Sequence, residues 1–193
     1  MTENGMTDNY ALEGLAEHIF ETNQLLCSSC QGIFIDTADM KLIYKFCEKF
    51  LSIMEKVAGK YPKPDFGIRG QLTLQLYNKE LEIISSEQRI FRGKGCSIVA
   101  YKNNKLETSI MYGNCWAMPL PKKHIIKKLY SYRGYLQTVG LICDMAEKEE
   151  ISEMLTRAGV TRITSASEMS TILIGQAHDG EYPLRRYSRI VEY

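Results

Sequence analysis

The sequence predicts an α/β fold, a mostly parallel sheet flanked by helices in three layers. Three observations lead there: apolar residues recurring at helical spacing in two long segments, short apolar runs bounded by turn residues, and a strand, helix, strand succession late in the chain. The 45% hydrophobic and 24% charged residues over 193 positions are the balance of a globular protein with one sizeable core, which excludes disorder and low complexity. Residues 1–193 read as a single domain without internal repeats, of which 1–9 are expected to be a flexible N-terminus.

From Tyr10 to Gln24, Leu12, Leu15 and Ile19 form a helical stripe that stops at the turn Leu26-Cys27-Ser28-Ser29-Cys30. Gly32 to Asp36 follows as a short buried strand. Asp39 caps a second helix, with Leu42, Ile43, Phe46, Phe50, Ile53, Met54 and Val57 on one face and Gly59 at its end. The prolines of Tyr61-Pro62-Lys63-Pro64-Asp65 lack amide donors and disfavour helical geometry before them, so this is a linker between helices. Helix returns over Arg69 to Glu87. Residues 95–101 and 106–112 flank a Lys-Asn-Asn-Lys turn and are expected to be neighbouring strands or a hairpin. A basic helix from Lys122 to Tyr130 precedes a strand around Leu136 to Cys143, a helix from Lys148 to Ala158 and a strand from Val160 to Thr164, the spacing of a parallel crossover. The remainder is mostly loop, with a final strand over 187–192.

Charge narrows the function classes. With 24 Lys+Arg against 23 Asp+Glu the net charge is +1, so the total calls for no nucleic acid or anionic membrane. No apolar run approaches the roughly 20 residues of a membrane span, and the N-terminal residues show no charged-then-apolar leader, so a cytoplasmic location is expected. The six cysteines then read as reduced thiols. A zinc site would need one of the three scattered histidines to join Cys27 and Cys30, and the second half of a four-ligand spacing is missing, so no metal is expected. Neither a Gly-x-Gly-x-x-Gly nor a Walker-type phosphate loop is present.

Cys27 is the residue best placed for chemistry. A turn between a helix and a buried strand aims its sulfur into a cleft, and its own amide can donate to an oxyanion. A structural buried cysteine and a Cys-x-x-Cys redox pair with Cys30 are the alternatives; the redox motif ordinarily follows a strand and opens a helix, the reverse of the order here. His178-Asp179-Gly180 either positions substrate or cofactor or shapes its loop. Lys122, Lys123, His124, Lys127 and Lys128 either meet a phosphate or form a solvated helix face.

Asn23-Gln24-Leu25-Leu26-Cys27-Ser28-Ser29, followed by Gln31-Gly32-Ile33-Phe34-Ile35, closely resembles the nucleophile segment of the bacterial long-chain acyl-CoA reductases, the fatty-acid reductase of bioluminescence and a branch of the aldehyde dehydrogenase superfamily. The resemblance continues through Tyr135 to Leu141, Gly159 to Thr164, Glu168-Met169-Ser170 and His178 to Leu184. It implies an aldehyde-dehydrogenase-like catalytic domain in which Cys27 accepts a fatty acyl group as a thioester and NADPH reduces it to the aldehyde. Asn23, Ser28, His178, Asp179 and Gly180 are the candidate residues for positioning either the substrate or the loop.

The resemblance also implies what is to be supplied elsewhere. Family members are more than twice as long, and the half that binds the dinucleotide precedes the nucleophile helix with which this chain begins. The expected partners are therefore a long-chain acyl-CoA or acylated protein, and either a second copy or a chain carrying the dinucleotide-binding domain. Residues 185–191 correspond to a region of intersubunit strands in that superfamily. Family members often carry proline where this chain has Cys30, which would let Cys30 pair with Cys27 under oxidation. A non-catalytic module that keeps the fold, and a thiol oxidoreductase, are the competing readings.

Overall fold

The computed structural model describes every residue except 85–87, 104, 172, 183–184, 186, 188–190 and 192–193. The final strand expected over 187–192 and the intersubunit segment 185–191 fall largely outside the described residues.

Asp8 caps the first helix, α1 (Asn9–Thr22), by accepting the Ala11 amide at 3.0 Å, and Asn23 ends it in the left-handed region at φ 48°. The strand β1 (Gly32–Ile35) comes next, and then α2 (Met40–Ala58), capped by Asp39 as its sequence predicts. Past the proline linker, α3 (Phe66–Ile83) begins three residues earlier than its apolar pattern indicates, because Asp65 caps it through the Ile68 amide at 2.9 Å. Then follow β2 (Arg89–Gly93), β3 (Cys96–Ala100), β4 (Asn114–Pro119), the short α4 (Ile125–Leu129), β5 (Thr138–Leu141), α5 (Met145–Ala158) and β6 (Arg162–Ser165).

The sheet arrangement corrects two expectations. The strands form a four-stranded mixed sheet in the order β1-β4-β3-β2, with only β2 antiparallel, and a separate parallel pair β5-β6, so they do not make one mostly parallel sheet. The hairpin partner of β3 is also β2, not residues 106–112. Gly93 pairs with Cys96 across a two-residue turn whose Gly95 adopts φ +85°, a conformation that favours glycine. Residues 111–113 all have positive φ, which no extended strand allows, and they turn the chain into β4.

The main core lies where α1 and α2 cover one face of the larger sheet: Leu12, Ile19, Ile43, Phe50, Met54 and Ile98 are buried there. On the other face Val99, Trp116 and Met118 pack with Phe34 and Leu106. Burial of all six β4 residues follows from cover on both faces. A second cluster, including Leu129, Ile151, Leu155 and Val160, holds α4 and α5 against the smaller sheet. Residues 1–9, expected to be flexible, are tied down. The Met1 ammonium donates to Phe34 O at 2.8 Å and Thr2 N to Ile142 O at 3.1 Å, so the chain start bridges the two sheets, with a 3₁₀ turn over Asn4–Thr7 behind it.

Candidate active site

The link between α1 and β1 carries Cys27. Ser29 N donates to Leu26 O at 2.9 Å, and Leu26 N to Ser29 Oγ at 3.1 Å, closing a turn with Cys27 and Ser28 at its two corners. Cys27 is exposed while Ser28, Ser29 and Cys30 are buried. Among the described residues, the amides of Cys27 and Ser28 have no hydrogen-bond partner.

Gln24 holds this loop from beneath. It is 1% exposed, and its side chain donates to Cys30 O at 2.8 Å and Ser109 Oγ at 3.3 Å while accepting from Gly113 N at 3.0 Å. Its φ of 61° follows the 48° of Asn23, so two consecutive left-handed residues reverse the chain after α1. Gln31 extends the network: its Oε1 accepts from Ser109 N at 3.2 Å and Oγ at 2.9 Å, and its Nε2 donates to Gln24 O at 3.1 Å. Neither glutamine stands out in the sequence as a site residue. Their partners lie on residues 109–113, which only the folded chain brings near.

The two cysteines of the Cys-x-x-Cys spacing have opposite environments. Burial pushes the Cys30 thiol up to about 12, and its amide donates to His18 Nε2 at 3.2 Å. His18 is 2% exposed, and burial lowers its pKa, so it accepts as a neutral imidazole. Both border the same cleft, but Cys27 is exposed at it while Cys30 is buried and held in the thiol form.

That cleft, of about 320 Å³, lies between the larger sheet and the β5–α5–β6 unit. Leu120, Leu129, Leu136, Val139, Leu155 and Val160 make its walls mostly aliphatic. Trp116 closes one side: its indole N–H donates to Glu107 O at 2.9 Å, and its ring lies so close to Gly32 that a Cβ there would come within 2.0 Å.

The other predicted site residues divide. Asn23 receives the Tyr112 amide on its carbonyl at 3.1 Å, a structural cap. Ser28 Oγ lies 3.3 Å from Ser170 Oγ, tying the Cys27 turn to the segment after β6. Arg162 clamps the same segment by donating to Met169 O at 2.7 Å and to Thr171 O. His178 and Glu181 exchange backbone bonds of 2.8 and 3.0 Å around Asp179 and Gly180, which have φ 53° and 81°. Asp179 accepts from Gln137, a cleft-lining residue, and pairs with His178 Nδ1 at 3.0 Å. The motif therefore shapes a tight turn that buttresses the cleft rim.

The residues at Cys27 do not fit a dinucleotide. Among the described residues the cleft lining offers one lysine, Lys122, which is engaged by Glu150 at 2.7 Å and Glu147 at 3.6 Å, and the turn after β1 is Asp36-Thr37-Ala38-Asp39, without glycine.

The class so defined is an α/β protein with an exposed thiol on a tight turn at the mouth of a mostly aliphatic cleft. The chain matches the acyl-CoA reductase (LuxC) family over residues 2–190 and belongs to that family. Enzymes of this class typically draw on a nicotinamide cofactor. A search of curated proteins finds no match. No helix among the described residues is long and apolar enough to cross a membrane.

Proposed function

We propose that this chain is the catalytic domain of a long-chain acyl-CoA reductase in which Cys27 takes the fatty acyl group as a thioester. The carrying observation is the exposure of Cys27 beside an apolar cleft, whose volume of about 320 Å³ falls within the range of roughly 300–1,000 Å³ typical of small-molecule sites. Its thiolate attacks the carbonyl carbon of the donor; the bond from that carbon to the CoA sulfur breaks, and the proton given up by Cys27 ends on the released thiol. The unpartnered amides of Cys27 and Ser28 can donate to the oxyanion formed in between. The hydride that would reduce the thioester to the aldehyde would come from a nicotinamide cofactor such as NADPH, bound away from the residues that line the Cys27 cleft. The cytoplasm, where thiols stay reduced, suits an enzyme that depends on a free cysteine.

The test is intact-protein mass after incubation with a long-chain acyl-CoA. The expected result is a hydroxylamine-labile acyl adduct with native protein and none with Cys27→Ala. Labelling that survives Cys27→Ala, or no adduct on the native chain, would overturn the proposal and favour a fold-retaining module without turnover.

A further inference from the structure

We propose that a second cavity, beneath α3, holds the phosphorylated adenosine end of the acyl-CoA donor. This rests on acyl-CoA being the donor. The cavity, of about 560 Å³, is larger than the cleft at Cys27 and lies between α3, the proline linker and the Lys94–Gly95 turn. α3 has no buried residue. Arg69, Leu72, Thr73 and Leu76, at helical spacing i, i+3, i+4 and i+7, border this space instead of a core, with Leu72 and Leu76 half-buried and Arg69 and Thr73 exposed. Ion pairs hold the helix to the body: Glu80 to Arg92 at 2.8 Å and Lys79 to Glu107 at 3.9 Å.

The lining has the chemistry of an anionic, partly aromatic ligand. Among the described lining residues four cations, Lys63, Arg69, Arg92 and Lys94, face one carboxylate, Glu55, which is already occupied by the Lys94 amide at 2.6 Å. Only Arg92 of the four has a carboxylate partner among the described residues. Lys63 and Lys94, with Arg69 reaching from the Phe66 ring over which its guanidinium lies at 5.7 Å, are left to meet phosphate oxygens. Phe20, Tyr61 and Tyr112 supply ring surface for a planar base, with Phe20 and Tyr61 stacked at 6.1 Å.

Position links the cavity to the nucleophile. Gly95, Cys96 and Asn114, at the N-terminal ends of β3 and β4, line the cavity, and Cys27 enters β1 at the same end of these parallel strands. β1 and β3 are two strand spacings apart, about 10 Å. Asn23, four residues before Cys27, also lines the cavity. The pantetheine arm has about twelve bonds from phosphate oxygen to sulfur, the backbone length of about four residues, on the order of 14 Å. It spans the gap with the phosphates in the cavity and the thioester at Cys27.

The test is calorimetric titration of the full chain with coenzyme A and, separately, with NADP⁺, for native protein and for Lys63→Glu/Lys94→Glu and Arg69→Glu, with circular dichroism confirming the fold. Coenzyme A is expected to bind and to lose about tenfold or more in affinity in both variants. Unchanged coenzyme A affinity would overturn the proposal, as would tighter binding of NADP⁺ with the same sensitivity to the variants. Acylation of Cys27 by an acyl-CoA is then compared with acylation by the same acyl group on N-acetylcysteamine, which lacks the nucleotide. The charge variants should lower the ratio of the two rates about tenfold; an unchanged ratio overturns this site and leaves Cys27 as nucleophile standing. Failure of both donors removes the nucleophile reading, and the coenzyme A affinities still decide the cavity.

Discussion

The Gln24 side chain donates to the carbonyl of Cys30 at 2.8 Å, closing the Cys27 loop across its base with a buried amide. The same amide holds Ser109 and Gly113, so one residue couples the approach to β1 with the approach to β4. Gln24→Ala strands a buried carbonyl and a buried amide together, and an unsatisfied buried polar group costs about 1–3 kcal/mol. A loss of about 3 kcal/mol in urea denaturation is expected. A loss below about 1 kcal/mol would show that water replaces the amide and that the loop does not depend on it.

Cys27 and Cys30 separate by exposure. Iodoacetamide should label Cys27 in the folded protein and leave Cys30 unmodified, because a buried thiol held up to about 12 supplies almost no thiolate near neutrality. Cys30→Ala should retain acylation and lose about 1–2 kcal/mol of stability from the core. Equal loss of acylation in Cys27→Ala and Cys30→Ala would instead support a redox pair.

The reach of sequence reasoning followed the locality of each signal. α1 and α2 were legible because their apolar stripes repeat within the helix and the Asp39 cap is adjacent to the helix it starts. The Cys27 turn was legible for the same reason, since its motif is contiguous. β4 was not: burial on both faces erases alternation, and Asn114-Cys115-Trp116-Ala117 carries no strand-like pattern. β2 is a short edge strand with Arg89 and Arg92 exposed, which resembles a loop in composition. The Gln24 network was hidden because its partners lie 85 and 89 residues away.

His18 makes stability depend on pH. Burial lowers its pKa below the ordinary 6.5, with Glu21 partly opposing, so the unfolded chain binds the proton more readily. The stability contributed by the neutral imidazole is therefore complete above about pH 6.5 and falls as pH drops through the window below it. His18→Gln keeps an acceptor for the Cys30 amide and removes the titration. The urea midpoint of native protein should fall more steeply than that of the variant between about pH 7 and pH 5; parallel slopes would show that His18 is not the group responsible.

Gly32→Ala tests the cleft wall. The new Cβ would meet the Trp116 ring at 2.0 Å, and that ring is fixed by its bond to Glu107 O and by the Phe34 ring, 5.0 Å away. Overpacking of this kind costs about 1–3 kcal/mol. Thermal denaturation with Trp116 fluorescence as the probe should show both a lower midpoint and a shifted folded-state spectrum. A native spectrum would mean that the backbone of β1 moves and the indole does not.

Val139 tests whether the cleft measures the acyl chain. It lies on β5, half-buried, with its side chain on the cleft wall, so Val139→Trp shortens the apolar space without touching the Cys27 turn. Each methylene kept out of the cleft forfeits about 0.8 kcal/mol, or about fourfold in the rate of acylation at low substrate. Excluding two or three methylenes should lower the preference for a long over a medium-length acyl-CoA by roughly 15- to 60-fold, read as the ratio of Cys27 acylation rates in a competition between the two donors. Leu136→Trp, on the same cleft, gives a second measurement if the first variant folds poorly. Because both donors carry the same CoA, damage to the nucleophile or to donor docking lowers both rates together and leaves the ratio unchanged. An unchanged ratio in both variants would therefore place the acyl chain outside this cleft.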